Sequence, residues 1–177
     1  MKNLKPLFLL PVMAIIIVAC GDNQKSHNYN QKTQVDAEGL GFIKTANESG
    51  LTEIKASSLA ESISKNPRVV SFAKMMVADH SKAAQDLSKL AQDKMVTKSD
   101  TLTVEHQQKI DSLGKLTGTA FDKAYMNMML TDHLKAVEMF EKASADRIEA
   151  VQDFAKKTLP ALKMHLDSAK AINSSLK

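Results

Sequence analysis

The 177-residue chain has one cysteine, no tryptophan, four prolines and six glycines. A single cysteine excludes an intrachain disulfide. No strand pattern, an alternating apolar run bounded by turn residues, occurs anywhere, which argues against a sheet. The chain has no Glu-x-x-His, so it lacks the half-site from which a bundle builds a di-iron centre. It has no Gly-x-Ser-x-Gly, so no nucleophile elbow, and no glycine-rich loop to cradle phosphate. Basic residues are neither clustered nor interleaved with aromatics, which excludes an ordinary nucleic-acid surface. A membrane-spanning helix needs ~20 apolar residues. The run from Leu7 to Ala19 is shorter and is interrupted by Pro11.

That run follows Lys2 and Lys5, and the pattern is that of a secretory signal. It ends Ile17-Val18-Ala19-Cys20-Gly21, which resembles the bacterial lipobox. The resemblance implies cleavage before Cys20 and lipidation of the new N-terminal cysteine. Ordinary signal cleavage also accepts a small residue at Ala19, so both routes fit the motif. Residues 1–19 are thus read as a lipoprotein signal peptide. Several acyl chains anchor firmly, because each buried CH₂ contributes ~0.8 kcal/mol. Gly21 after the cysteine favours the periplasmic face of the outer membrane over inner-membrane retention. Removing Lys2 and Lys5 lowers the formal charge from +4 to +2, so part of the basic balance belongs to the signal.

Residues 20–36 read as the lipidated cysteine and a polar tether, too poor in apolar residues to order itself. Sixteen such residues reach roughly 20–24 Å r.m.s.. Residues 37–174 form one domain with helical periodicity throughout. Four long helices are expected at 37–65, 67–94, 119–144 and 147–174. Asn66-Pro67 punctuates the first pair, and Asp146 is a cap for the last. Gly50 weakens the first helix and favours a break near Asn47–Gly50. Pro160 favours a kink or break in the last. The long connection holds a short helix at 102–114. These elements predict an all-α, ferritin-like four-helix bundle with a long crossover that makes the second and third long helices parallel.

Residues 75–83 and 128–136 share six of nine positions in a Met-Met-x-x-Asp-His-x-Lys-Ala block. Met76 and His80, and likewise Met129 and His133, are one turn apart on one helix face, the apolar one. Asp79 and Asp132 lie ~100° round from their histidines and are expected to face outward. Glu53 is about level with His80 in an antiparallel pair, and His133 reaches a similar height. His165 is expected about seven residues, roughly 10 Å, from that level, so that it joins only through a kink at Pro160. Two readings follow. The histidines form an internal hydrogen-bonded network, with the methionines as core filler. Alternatively, Glu53, His80, His133 and His165 hold one transition-metal ion, copper, zinc or iron, with Met76 and Met129 as alternative soft ligands.

The chain resembles a bacterial family, domain of unknown function 4142. The matching stretches are Ser49-Gly50-Leu51-Thr52-Glu53-Ile54, Val69 to His80, Phe121 to His133, and Leu159-Pro160-x-Leu162-x-x-His165-Leu166. The resemblance implies an exported ferritin-like bundle, often a lipoprotein, and no particular reaction. The expectation is therefore a non-enzymatic, lipid-anchored cell-envelope protein, partner-binding or stress-related. It would meet the membrane through its lipid and engage an envelope protein, with no nucleic acid. The alternative is periplasmic transition-metal binding or buffering by the mid-bundle histidines.

Overall fold

A computed structural model describes residues 35–176. The expected signal peptide, Cys20 and most of the expected tether lie outside the described residues. Five helices follow in order: α1 Ala37–Ile63, α2 Pro67–Asp93, α3 Val104–Leu113, α4 Gly118–Ala143 and α5 Glu149–Ser175. No strand occurs among the described residues. No helix among them is long and apolar enough to cross a membrane.

Local chemistry sets the helix ends. Asp36 Oδ1 accepts from Gly39 N at 2.9 Å and starts α1. Asn66 Oδ1 accepts from Arg68 N at 3.0 Å, and Pro67 occupies the first turn of α2, where its missing N–H costs nothing. At the far end of α2, Val96 N donates to Ala91 O and Met95 N to Gln92 O, a Schellman motif. That motif puts Met95 at φ 56°, in the left-handed region. Gly118 opens α4 at φ 58°, a conformation that glycine takes without strain. Asp146 does contribute near the start of α5, accepting from Ile148 N at 2.7 Å, although Ile148 is the N-cap residue.

Neither long helix is broken where a break was open. α1 runs unbroken through Asn47–Gly50, and α5 runs unbroken through Pro160. Pro160 is exposed, on a face where water can satisfy the carbonyl its ring leaves free. Packing along both helices outweighs one residue's propensity cost.

The pairing of side chains fixes the topology. α1 and α4 are antiparallel, joined by Ser57 Oγ···Tyr125 Oη at 2.8 Å and by Ser64 Oγ donating to Asp122 Oδ1 at 2.6 Å. α2 and α5 are antiparallel, joined by Arg68 to Ser175, Asp79 to His165 and Asp86 to Lys157. With α1–α2 and α4–α5 as hairpins, α2 and α4 run parallel, as the crossover requires. The crossover lies on α1. Asn47 Nδ2 donates to Ser99 O, and Glu48 Oε1 accepts from Thr103 N and Oγ1. Both Glu48 oxygens also lie within 2.7 Å of His106 Nδ1.

The core has two apolar halves. One is built around Phe42, Phe140 and Phe154, whose rings meet edge-on or tilted at 5.0–6.1 Å between centroids. The other holds Phe72, Met76, Phe121, Tyr125 and Met129. Between them lies the polar layer that carries the site.

Candidate metal centre

Each long helix contributes one residue to this layer: Glu53 from α1, His80 from α2, His133 from α4 and His165 from α5. None is more than 7% exposed, and His133 is fully buried. The three imidazoles surround one point, with ring centroids 5.3–5.5 Å apart. One nitrogen from each ring lies within 4.8 Å of one from each of the others.

The remaining contacts hold each ring. His133 Nδ1 donates to Met129 O at 3.0 Å, one turn back on α4. His165 Nε2 donates to Asp79 Oδ2 at 2.9 Å. His80 Nδ1 lies 3.1 Å from Glu53 Oε2, while Glu53 Oε1 stands 3.3 Å from His133 Nδ1. Four buried atoms are left without hydrogen-bond partners: His80 Nε2, His133 Nε2, His165 Nδ1 and Glu53 Oε1. Thus every ring has one nitrogen engaged and the other free. Such orphaned groups cost ~1–3 kcal/mol each.

Burial governs the charges. Desolvation holds the Glu53 carboxyl up at about 8, and the charge of Asp132 adds to the effect. Desolvation holds His80 down at about 3, with His133 and His165 adding to it. His133 is held down at about 4 by burial and then by His165. Near neutral pH, Glu53 is therefore protonated and both of these histidines are neutral. The 3.1 Å contact between Glu53 and His80 joins a neutral carboxyl to a neutral imidazole, not two ions.

All four residues of the expected ligand set do come together, but their roles separate. Glu53 touches the Nδ1 atoms of two histidines and not their free nitrogens, which makes it a partner of the rings. His165 is level with the others, contrary to the expected offset of about seven residues. The Asp79–His165 and Asp86–Lys157 pairs hold α5 against α2 at this height. Asp79, expected to face outward, instead reaches sideways to His165 while keeping its side chain 42% exposed. Met76 and Met129 are fully buried in the neighbouring apolar half. The Glu48–His106 pair, which pins the crossover, carried no sequence signal because its members are 58 residues apart and lie in no shared motif.

In chemical terms, three buried imidazoles, each with one unpartnered nitrogen and each offering a nitrogen within 4.8 Å of the others, are a donor set compatible with zinc, copper or iron. The partners on their other nitrogens match the outer shell that orients metal-bound histidines.

Comparison with curated proteins yields no match. Among solved structures, the chain is similar to a crystal structure of a DUF305 fragment from Deinococcus radiodurans. The TM-score is 0.71 at 12% sequence identity, covering 81% of this chain and 99% of that one. At that identity the likeness shows the fold, a helical bundle, and nothing of its chemistry. The family model described as "Domain of unknown function (DUF4142)" matches residues 24–172, nearly all of the chain beyond its first residues, and the protein belongs to that family.

Proposed function

We propose that this is a non-enzymatic cell-envelope protein, lipid-anchored at Cys20, whose bundle holds one transition-metal ion on His80, His133 and His165. The observation that carries the metal reading is the set of three buried ring nitrogens without partners, each on a ring whose other nitrogen is already engaged. An ion on His80 Nε2, His133 Nε2 and His165 Nδ1 would satisfy all three together. Its charge would also favour the ionised form of Glu53, which would then accept from His80 Nδ1. Zinc, copper(I) and iron(II) all accept such a set, and open coordination positions remain for water or another ligand.

The test is titration of chelator-treated protein with zinc and with copper(I) against a chromophoric competitor. One ion bound per chain, lost in His133→Ala, is the expected result. No binding at micromolar metal refutes the metal reading.

The ring spacing favours a second reading. A tetrahedral ion with bonds of 2.0–2.1 Å sets nitrogens roughly 3.3 Å apart, whereas the nearest set of one nitrogen per ring lies within 4.8 Å of one another. If the rings do not close, the layer is a structural polar network, and the protein acts through a partner in the envelope.

The anchor rests on the Ile17-Val18-Ala19-Cys20 motif, with the periplasmic face of the outer membrane as its place. Cys20→Ala should move the protein from the membrane to the soluble fraction, and unchanged fractionation refutes the anchor.

A further inference from the structure

The histidine layer is sealed from water. Glu53, His80, His133 and His165 are each at most 7% exposed, so an ion reaches the free ring nitrogens only when two helices part. The four seams differ in how they would part. Across α1–α4 lie the buried Ser57–Tyr125 and Ser64–Asp122 contacts, with the crossover bonded to Asn47 and Glu48 above them. Across α4–α5 the rings of Phe140 and Phe154 meet at 5.9 Å between centroids. The α1–α2 seam holds a cavity of about 40 Å³ that borders His80 and Glu53. Apart from those two, its lining carries no ionisable side chain to draw a cation in.

The α2–α5 seam is different in two ways. First, one side chain joins water to the layer: Asp79 is 42% exposed, yet its Oδ2 lies 2.9 Å from Nε2 of the buried His165. A carboxylate so placed draws a cation to the seam and takes over part of its water shell beside a ligand of the centre. Second, α5 carries Pro160 five residues before His165. Proline has no N–H, so the Lys156 carbonyl receives no helix bond from it, and a helix bends most readily at such a point. The helix is unbroken there, but the rungs on either side of the gap are the ones that a hinge needs. Pro160 is exposed, so bending there displaces no core packing of its own.

We infer that a transition-metal ion enters the bundle through the α2–α5 seam, drawn in by Asp79, as the part of α5 beyond Pro160 swings away from α2. The inference rests on the metal reading of the layer and names the route to it. Opening breaks the Asp79–His165 bond and turns the His165 ring toward water, so the third ligand meets the ion before His80 and His133 do. Closing then brings the three rings together around it.

The experiment uses the full chain, with Cys20→Ala in every variant so that its thiol takes no metal. Zinc uptake and release are followed by stopped flow against a chromophoric competitor. Pro160→Ala restores the missing helix bond. It should slow uptake and release by the same factor, about tenfold, the rate equivalent of one hydrogen bond, and leave the affinity unchanged. A purely structural effect on the ligands would change the affinity instead. Asp79→Asn keeps an acceptor for His165 and removes the charge. It should slow uptake about threefold at low ionic strength, and the difference should shrink as salt screens the carboxylate. Ala84→Leu, which fills the α1–α2 seam, should leave the rate of uptake unchanged. In the metal-free protein, amides of residues 161–166 should exchange faster than those of residues 130–136 on α4, and Pro160→Ala should remove the difference. Uptake slowed by Ala84→Leu but not by Pro160→Ala places the entry at the α1–α2 seam and overturns the inference. Equal rates in Pro160→Ala and the parent overturn the hinge, and equal low-salt rates in Asp79→Asn overturn the role of Asp79. Zinc bound by no form refutes the metal reading and this route with it; zinc bound at unaltered rates refutes the route alone.

Discussion

Asp79 and His165, on the antiparallel helices α2 and α5, are joined by a 2.9 Å hydrogen bond from His165 Nε2 to Asp79 Oδ2. Asp79 is the sequence neighbour of His80, so two consecutive residues of α2 serve the same layer. His80 enters it directly, and Asp79 reaches it from the half-exposed seam. The repeated Asp-His pair is thus asymmetric in use. Asp132, its counterpart on α4, is half-buried near Lys109 of α3, and its link to the site is its charge, which adds to burial in raising the Glu53 carboxyl.

Removing Asp79 should therefore weaken metal binding without abolishing it. Loss of an outer-shell partner typically costs ~10–100-fold in affinity, and Asp79→Ala should fall in that range while still binding one ion. His165→Ala should lose more. Competition titrations with zinc measure both, and an unchanged affinity in Asp79→Ala would exclude His165 as a ligand.

The metal-free protein should be most stable at about pH 6.5. Glu53 has its pKa raised from 4.5 to about 8 by burial. Its contribution is fully present below pH 4.5 and is lost as pH rises through about 8. His80 and His133 are lowered from 6.5 to about 3 and about 4. Their contribution is present above pH 6.5 and is lost as pH falls toward those values. Between 4.5 and 6.5 the two histidines outweigh the one carboxyl. Denaturation midpoints across pH 5–9 should show this maximum. Glu53→Gln should remove the decline above it and leave the decline below.

Met76→Leu and Met129→Leu should each cost less than ~1.5 kcal/mol, as volume-conserving core exchanges do. Both side chains are fully buried beside Phe72, Phe121 and Tyr125. Copper(I) stoichiometry should stay at one in both variants. Loss of copper(I) with zinc binding intact would make the thioethers ligands.

Glu48→Ala should loosen the crossover and leave the four long helices folded. Glu48 accepts from Thr103 and pairs with His106, and so ties the start of α3 to α1. Amide exchange should accelerate across residues 99–113 and remain slow in α2 and α4.

Met95→Gly should stabilise the protein by ~1 kcal/mol, because a left-handed non-glycine residue costs roughly 1–2 kcal/mol. Met95 is exposed and loses no packing on truncation. Chemical denaturation measures the gain, and a net loss would mean that the Schellman turn carries no strain at this position.

Sequence periodicity determined the helices, their order and the parallel placement of α2 and α4. Apolar residues at three- and four-residue steps, Asn66-Pro67 and the length of the crossover left few alternatives. It also placed Glu53, His80 and His133 at one height, because hairpin geometry follows from helix lengths. The height of His165 was decided by tertiary packing: α5 lies against both α4 and α2, and its pairs with Asp79 and Asp86 of α2 join residues distant in sequence. The same contacts drew Asp79 sideways to His165 with its side chain still 42% exposed, since a side chain at a seam can reach past the phase of its own helix. The survival of α1 through Gly50 and of α5 through Pro160 is a further tertiary effect, in which two buried faces outweigh local propensity. Which nitrogens stay free, and where the cavity opens beside Glu53, depend on distances of a few ångströms between four helices, and no spacing within one helix encodes these.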